Sequence, residues 1–203
     1  MIQGLIKDLA FDKITLSQAL TRAKLIARQI KNDTFGGWLK NELNGYGYNN
    51  TLLPIYRKIW AEIKLTAEFP FGRIHTFPVV MNDNQKEIEE LINFHYVTEP
   101  ISIIEQNILQ MTEGKGHIYL TGKQVEVIGS LYRKQVEAEH GVIRSGSRVI
   151  GKAQLLNIIE LTKQKLIDTL QDLEEQFPEI DDKYVMNEIE QRKIQNIRLV
   201  AMN

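Results

Sequence analysis

Histidines, a concentration of lysines and arginines, and several carboxylate clusters are the residues of this chain with the side chains for acid–base or phosphate chemistry. His75, His95, His117 and His140 occur at no helical metal-ligand spacing, and no His-Glu-x-x-His run is present. A histidine metal site therefore lacks support, and ordinary, partly exposed histidines are the better reading. No P-loop and no Gly-x-Gly-x-x-Gly occurs, and Gly114-Lys115-Gly116 is too short to cradle a phosphate. The absence of cysteine excludes disulfides, thiolate zinc sites and cysteine nucleophiles. No cofactor and no metal is expected.

Arg133 and His140 are separated by six residues. An arginine and a histidine near this spacing resemble the RNase motif of HEPN domains, where the pair works across a dimer. The chemistry would be sensible. Histidine moves the proton of a ribose hydroxyl while arginine holds the phosphate. These two residues are the candidate catalytic pair, set against the simpler reading of a solvated helix face. Lys115, Lys123, Arg133, Lys134, Arg144, Arg148 and Lys152 crowd one stretch. If they share a face, Arg144 and Arg148 become candidate contacts for phosphates or an acidic partner. Only Tyr119 and Tyr132 interleave there, which is thin for stacking bases. The acidic groups, Glu87/Glu89/Glu90, Asp172/Glu174/Glu175 and Asp181/Asp182, read as helix exteriors or caps rather than converging metal ligands.

The most distinctive block is Trp38-Leu39-x-x-Glu42-Leu43-Asn44-Gly45-Tyr46, followed by Leu53-Pro54-x-Tyr56-Arg57. Trp38 and Tyr46 are large amphipathic anchors. Glu42 and Arg57 can form a charge-assisted pair that fixes a helix end to a strand entry. Trp38, Glu42, Tyr46, Tyr56 and Arg57 are candidate binding residues, with a purely structural lock as the competing reading.

The elements that must position these residues are legible in the spacing of apolar side chains. Residues 2–10 read as a helix, with Ile2, Leu5, Ile6 and Leu9 on one face. Thr15 or Ser17 caps a second helix running to about Lys31, and a third spans about 34–43 and closes at Asn44-Gly45. Residues 57–69 alternate with period two, a half-buried strand. Pro70-Phe71-Gly72 turns the chain into a hairpin partner at 73–80. A helix at 83–93, a short strand at 94–98, a helix at 101–112, a strand at 117–120 and a helix at 122–136 are expected next. Residues 138–150 read as strand or loop. The clearest element is an amphipathic helix over 152–177, stopped by Pro178. A terminal helix over about 183–200 has sparse apolar positions and must dock on something.

The expected class is thus α+β and mainly helical: N-terminal helices, a small antiparallel sheet or hairpin, the long helix 152–177 and a terminal helix. The 203 residues, 43% hydrophobic and 25% charged, suit one globular domain with a small appendage. The net charge of −1 gives no global pull toward nucleic acid or acidic membranes. No secretion signal opens the chain and no apolar run is long enough to span a bilayer. A cytosolic protein without membrane contact is expected.

The Trp38–Arg57 block resembles the AbiTii domain family. So do Pro70-Phe71-Gly72 after an alternating strand, and a finish made of Val149-Ile150, Ala153-Gln154-Leu155-Leu156-Asn157-Ile158-Ile159, and spaced leucines ending at Phe177-Pro178. The matched blocks run across about residues 2–178, which places a domain at 1–178 and a helical appendage at 179–203. The resemblance implies bacterial phage defence. The family takes its name from the second protein of a two-component abortive-infection system, in which infected cells stop growing or die before phage matures. It implies an effector with a protein partner, and it carries no active-site motif onto this chain. Three readings stand: a phage-defence effector, toxic when triggered and acting with a partner; a metal-independent ribonuclease using Arg133 and His140; and a homo-oligomerisation or adaptor module docking through residues 183–200. Nucleic-acid contact is an open expectation.

Overall fold

A computed structural model describes residues 2–47, 51–80 and 92–176. The chain forms two compact units. The first takes residues up to Arg57, then Val97–Gln110, then the chain from Leu155 onward; the second takes Lys58–Tyr96 and Met111–Gln154. The class is α+β and mainly helical, with small antiparallel sheets and a long C-terminal helix. Most of the helix expected over 83–93, and all of the appendage at 179–203 with its helix over 183–200, lie outside the described residues.

The first unit is helical. It holds α1 (Ile2–Ala10), α2 (Leu16–Gln29), α3 (Asp33–Asn44), α4 (Ile101–Gln110) and the body of α7 (Lys152–Gln176). Thr15 caps α2 in a capping box: its hydroxyl takes the Gln18 amide while the Gln18 side chain takes the Thr15 amide. Glu105, from α4, accepts the Leu16 amide at 2.9 Å, adding a carboxylate to the positive end of α2. Asn32 caps α3 through the Phe35 amide at 2.9 Å. Gly45 ends α3 at φ +84, and an added Cβ would lie 2.7 Å from the Thr98 carbonyl. Glycine is required there for space as well as for conformation.

The buried line of α7 is Leu155, Ile158, Thr162, Leu166, Thr169, Leu170 and Leu173, a helical stripe that admits two threonines. Their hydroxyls return to the Ile158 and Lys165 carbonyls at 2.8 Å each, so both enter the interior satisfied. Leu156, next to Leu155 in the sequence, lies off this line and is exposed.

The second unit is built on sheets. The strand expected over 57–69 is two strands, β1 (Lys58–Trp60) and β2 (Glu62–Phe69). The alternation holds throughout, with Ile59, Ala61, Ile63, Leu65 and Ala67 all buried, but at Ala61 the chain changes partners. β1 pairs with β4 (Phe94–Tyr96), while β2 joins β3 (Arg73–Pro78), β5 (Lys115–Tyr119) and β6 (Val142–Gly151) in a four-stranded antiparallel sheet ordered β3-β2-β6-β5. The stretch 138–150 thus supplies a central strand. Its Ser145-Gly146-Ser147 looks like a loop because Gly146 has no side chain; an added Cβ would meet Leu120 at 2.9 Å and Leu65 at 3.0 Å. Packing requires the glycine in mid-strand.

One face of the sheet carries the unit's core, where Ile63, Leu65, Val79, Leu120 and Ile128 pack with Phe77, Tyr132 and Ile143. The helix expected over 122–136 is two helices, α5 (Gly122–Gly129) and α6 (Arg133–Ala138). The break at Ser130–Tyr132 lets the Tyr132 ring pack on Phe77 at 5.4 Å, and Gly129 lies close to Ile143.

Candidate functional site

The polar centre of the first unit grows from the end of α3. Glu42 points inward there, and Arg57 reaches it from the short helical turn Ile55–Arg57. Both side chains are 0% exposed and they are ion-paired, Arg57 Nη2 donating to Glu42 Oε2. The other carboxylate oxygen accepts two phenols, Tyr46 Oη and Tyr56 Oη, each at 2.7 Å. Trp38 Nε1 donates to Tyr56 Oη at 3.2 Å. The Arg57 guanidinium also lies over the Tyr46 ring, 4.8 Å from its centroid. Its Nη1 donates to the Val97 and Glu99 carbonyls at 2.9 and 2.8 Å, and the Val97 amide returns to the Arg57 carbonyl at 2.9 Å. Arg57 is where the chain leaves this unit and Val97 is where it re-enters. The cluster therefore ties together the exit, the return and the end of α3.

The electrostatics are those of a closed site. Burial, and then the charge of Glu42 and the hydrogen bond to it, push the Tyr46 and Tyr56 hydroxyls well above the usual phenol range. Both stay neutral donors across the physiological range. Lys165, on α7, stands over the Trp38 and Tyr56 rings at 5.6 and 5.8 Å. Desolvation lowers its affinity for a proton, and the Glu42 charge partly offsets this. The aromatic seat of Lys165 has no local sequence signal. In this arrangement the Glu42 carboxylate is spent, one oxygen on two phenols and the other on arginine. It has the hydrogen-bond saturation of an architectural clasp, not of a base awaiting substrate.

The remaining candidates lie in the second unit and are spread out. Arg133 opens α6, whereas His140 follows the end of that helix at φ +56. Arg133 is the first residue of the helix, and His140 lies two residues past its last. Arg133 and Arg144 both line a cleft of about 420 Å³ with Glu126 and Glu137; His140 is not among its walls. Arg144 is the extra residue of a bulge in β6 opposite Thr66/Ala67 and pairs with Glu68 at 2.9 Å. Arg148 stands opposite Ile63 and Ile118, on the core side of the sheet, and its Nε donates to the Ile92 carbonyl at 3.4 Å. Lys115 falls on the other face, in line with His117 and Tyr119. The basic stretch is therefore not a single surface. Among the described residues, no group of three or more His, Asp or Glu side chains is placed to hold a metal ion, and no helix is long and apolar enough to cross a membrane.

A family model described as AbiTii matches residues 1–197. The chain belongs to the AbiTii family. The match spans the Trp38–Arg57 block, both units and α7, so the clasp sits inside the family domain. The family name supports a role in phage defence by abortive infection. No curated protein and no solved structure matches the chain.

Proposed function

We propose that this AbiTii chain is the effector of an abortive-infection system, toxic when triggered and acting with a protein partner in the bacterial cytoplasm. The observation that carries the reading is the AbiTii match over residues 1–197. The geometry takes four polar residues of the family pattern out of consideration as catalysts. The family-patterned polar residues Glu42, Tyr46, Tyr56 and Arg57 are turned inward and consumed by one another. Their work is to hold α3, the turn at 55–57 and the strand-return segment 97–99 in one arrangement. Expression from an inducible promoter, with and without phage, tests the reading. Arrested growth, or plaque counts that fall when the chain is present with its neighbouring gene, is the expected result. Unchanged growth together with unchanged plaque counts would reject it.

A further inference from the structure

The outer edge of β3 is open in a patterned way. The Val79 amide donates to the Ile63 carbonyl at 2.8 Å, which sets the phase of the β2–β3 ladder. Directly opposed residues alternate between bonded and non-bonded pairs. Phe77/Leu65, His75/Ala67 and Arg73/Phe69 are therefore the bonded pairs in the observed register. Ile74, Thr76, Pro78 and Val80 turn their main-chain groups outward. Pro78 offers only its carbonyl, having no amide hydrogen, and Val80 is closed: the Tyr132 hydroxyl both accepts from the Val80 amide and donates to the Val80 carbonyl, at 2.6 Å each. Ile74 and Thr76 remain. Among the described residues no strand pairs with that edge, and Ile74 is 73% exposed.

A cleft of about 530 Å³ adjoins the same edge, lined by Phe69, Arg73, His75, Phe77 and Tyr132 together with Glu139. Ile74 also lines it, although its side chain belongs to the other face. The cleft thus meets the strand's main chain. An open main-chain edge beside an aromatic hollow on one face is the combination that strand addition uses. Ladder hydrogen bonds give affinity, and a pocket for every second side chain gives specificity.

We propose that β3 is the docking edge for an extended, acidic segment of a partner protein, which adds antiparallel to Arg73–Pro78 and places an aromatic side chain in the cleft. The charge on the strand selects this occupant. β3 carries Arg73 and His75 and no carboxylate. A second copy of this chain suits it poorly. The self-pairing register that uses both outward positions, Ile74 with Thr76, sets His75 against His75 across the axis and gives Arg73 no acidic counterpart. A partner strand with an aromatic residue opposite His75 and a carboxylate opposite Arg73 answers both. The inference rests on the reading that the chain acts through a partner protein.

The test uses the full chain and a fluorescein-labelled, end-capped peptide, Thr-Val-Thr-Phe-Thr-Glu-Thr. Its phenylalanine falls opposite His75 and its glutamate opposite Arg73. Binding is followed by anisotropy, and amide exchange by NMR. The expected result is binding that slows exchange at Ile74 and Thr76. Ile74→Pro should weaken it about two- to tenfold, the effect of losing one ladder bond, with an unchanged circular dichroism spectrum, because proline is tolerated where an edge amide faces outward. Should that variant not fold, Arg73→Glu decides: it must reverse the preference between this peptide and one with lysine in place of glutamate. No binding, or binding indifferent to both substitutions, overturns the proposal. Light scattering that shows a dimer split by Ile74→Pro also overturns it, in favour of a second copy. No phage enters the assay, so its failure leaves the proposed function standing, and failure of phage protection leaves the peptide result standing.

Discussion

Removing both members of the Glu42–Arg57 pair should destabilise the first unit far less than the sum of removing each alone. Each side chain is 0% exposed, so Glu42→Met leaves the guanidinium buried beside no anion, and Arg57→Met leaves the carboxylate buried beside no cation. Breaking a buried pair from one side costs about 3–5 kcal/mol. For a chain of this size that is a fall in Tm of roughly 6–20 °C. If the two losses were independent, the double variant would lose about 6–10 kcal/mol, close to the whole stability of an ordinary domain. They are not independent. With both charges gone, the remaining cost is the two phenols that Glu42 accepts, about 1–3 kcal/mol for each buried hydroxyl left without an acceptor. Glu42→Met/Arg57→Met should therefore recover a large part of the additive loss. Urea unfolding of the four proteins closes the cycle. Additive single losses, or a Glu42→Met variant within about 1 kcal/mol of the parent, would refute the clasp.

The same cluster makes finer predictions. Tyr56→Phe should cost more than Tyr46→Phe, because it removes a bond to Glu42 and also the acceptor of Trp38 Nε1; chemical denaturation that ranks them the other way contradicts the hydrogen-bond order. Alkaline pH should destabilise the fold. Both phenols are raised above their unfolded value of about 10, so their contribution is complete below that pH. It is lost as pH rises toward the folded values, by roughly 1.4 kcal/mol per pH unit for each phenol. Native-state absorbance near 295 nm should then show fewer tyrosines titrating by pH 11 than the seven present in the sequence. Gly45→Ala should cost about 1–3 kcal/mol, since it forces a side chain to φ +84 and sets a Cβ 2.7 Å from the Thr98 carbonyl. Gly47→Ala, with open space around it, is the control, expected within about 0.5 kcal/mol of the parent.

Helices α1 to α4 and α7 were legible because each carries an apolar stripe at helical spacing, reinforced at α2 and α3 by N-cap residues, and Glu42 and Arg57 were legible as a pair. What the sequence concealed was tertiary. Ala61 continues the strand's alternation, and nothing local marks the change of partner from β4 to the larger sheet. Val125, Ile128, Tyr132 and Val136 keep helical spacing across the break between α5 and α6. The break is imposed by Tyr132 packing on Phe77 and closing the Val80 edge. The basic stretch looked continuous along the chain. Strand alternation turns Arg148 inward, and a bulge commits Arg144 to Glu68. Lys165 gave no warning of its aromatic seat, because Trp38 and Tyr56 lie more than a hundred positions earlier.

Abortive infection has a signature that resistance by blocking phage entry does not share, and it tests the account most directly. Cells carrying this gene at its own locus, and cells lacking it, are infected at a low and at a high ratio of phage to cells, with optical density and phage yield followed through one cycle. The account predicts that the carrying culture survives at the low ratio, and that at the high ratio it stops growing while releasing few phage. Healthy growth at both ratios, or a phage yield equal to that of cells lacking the gene, would contradict it.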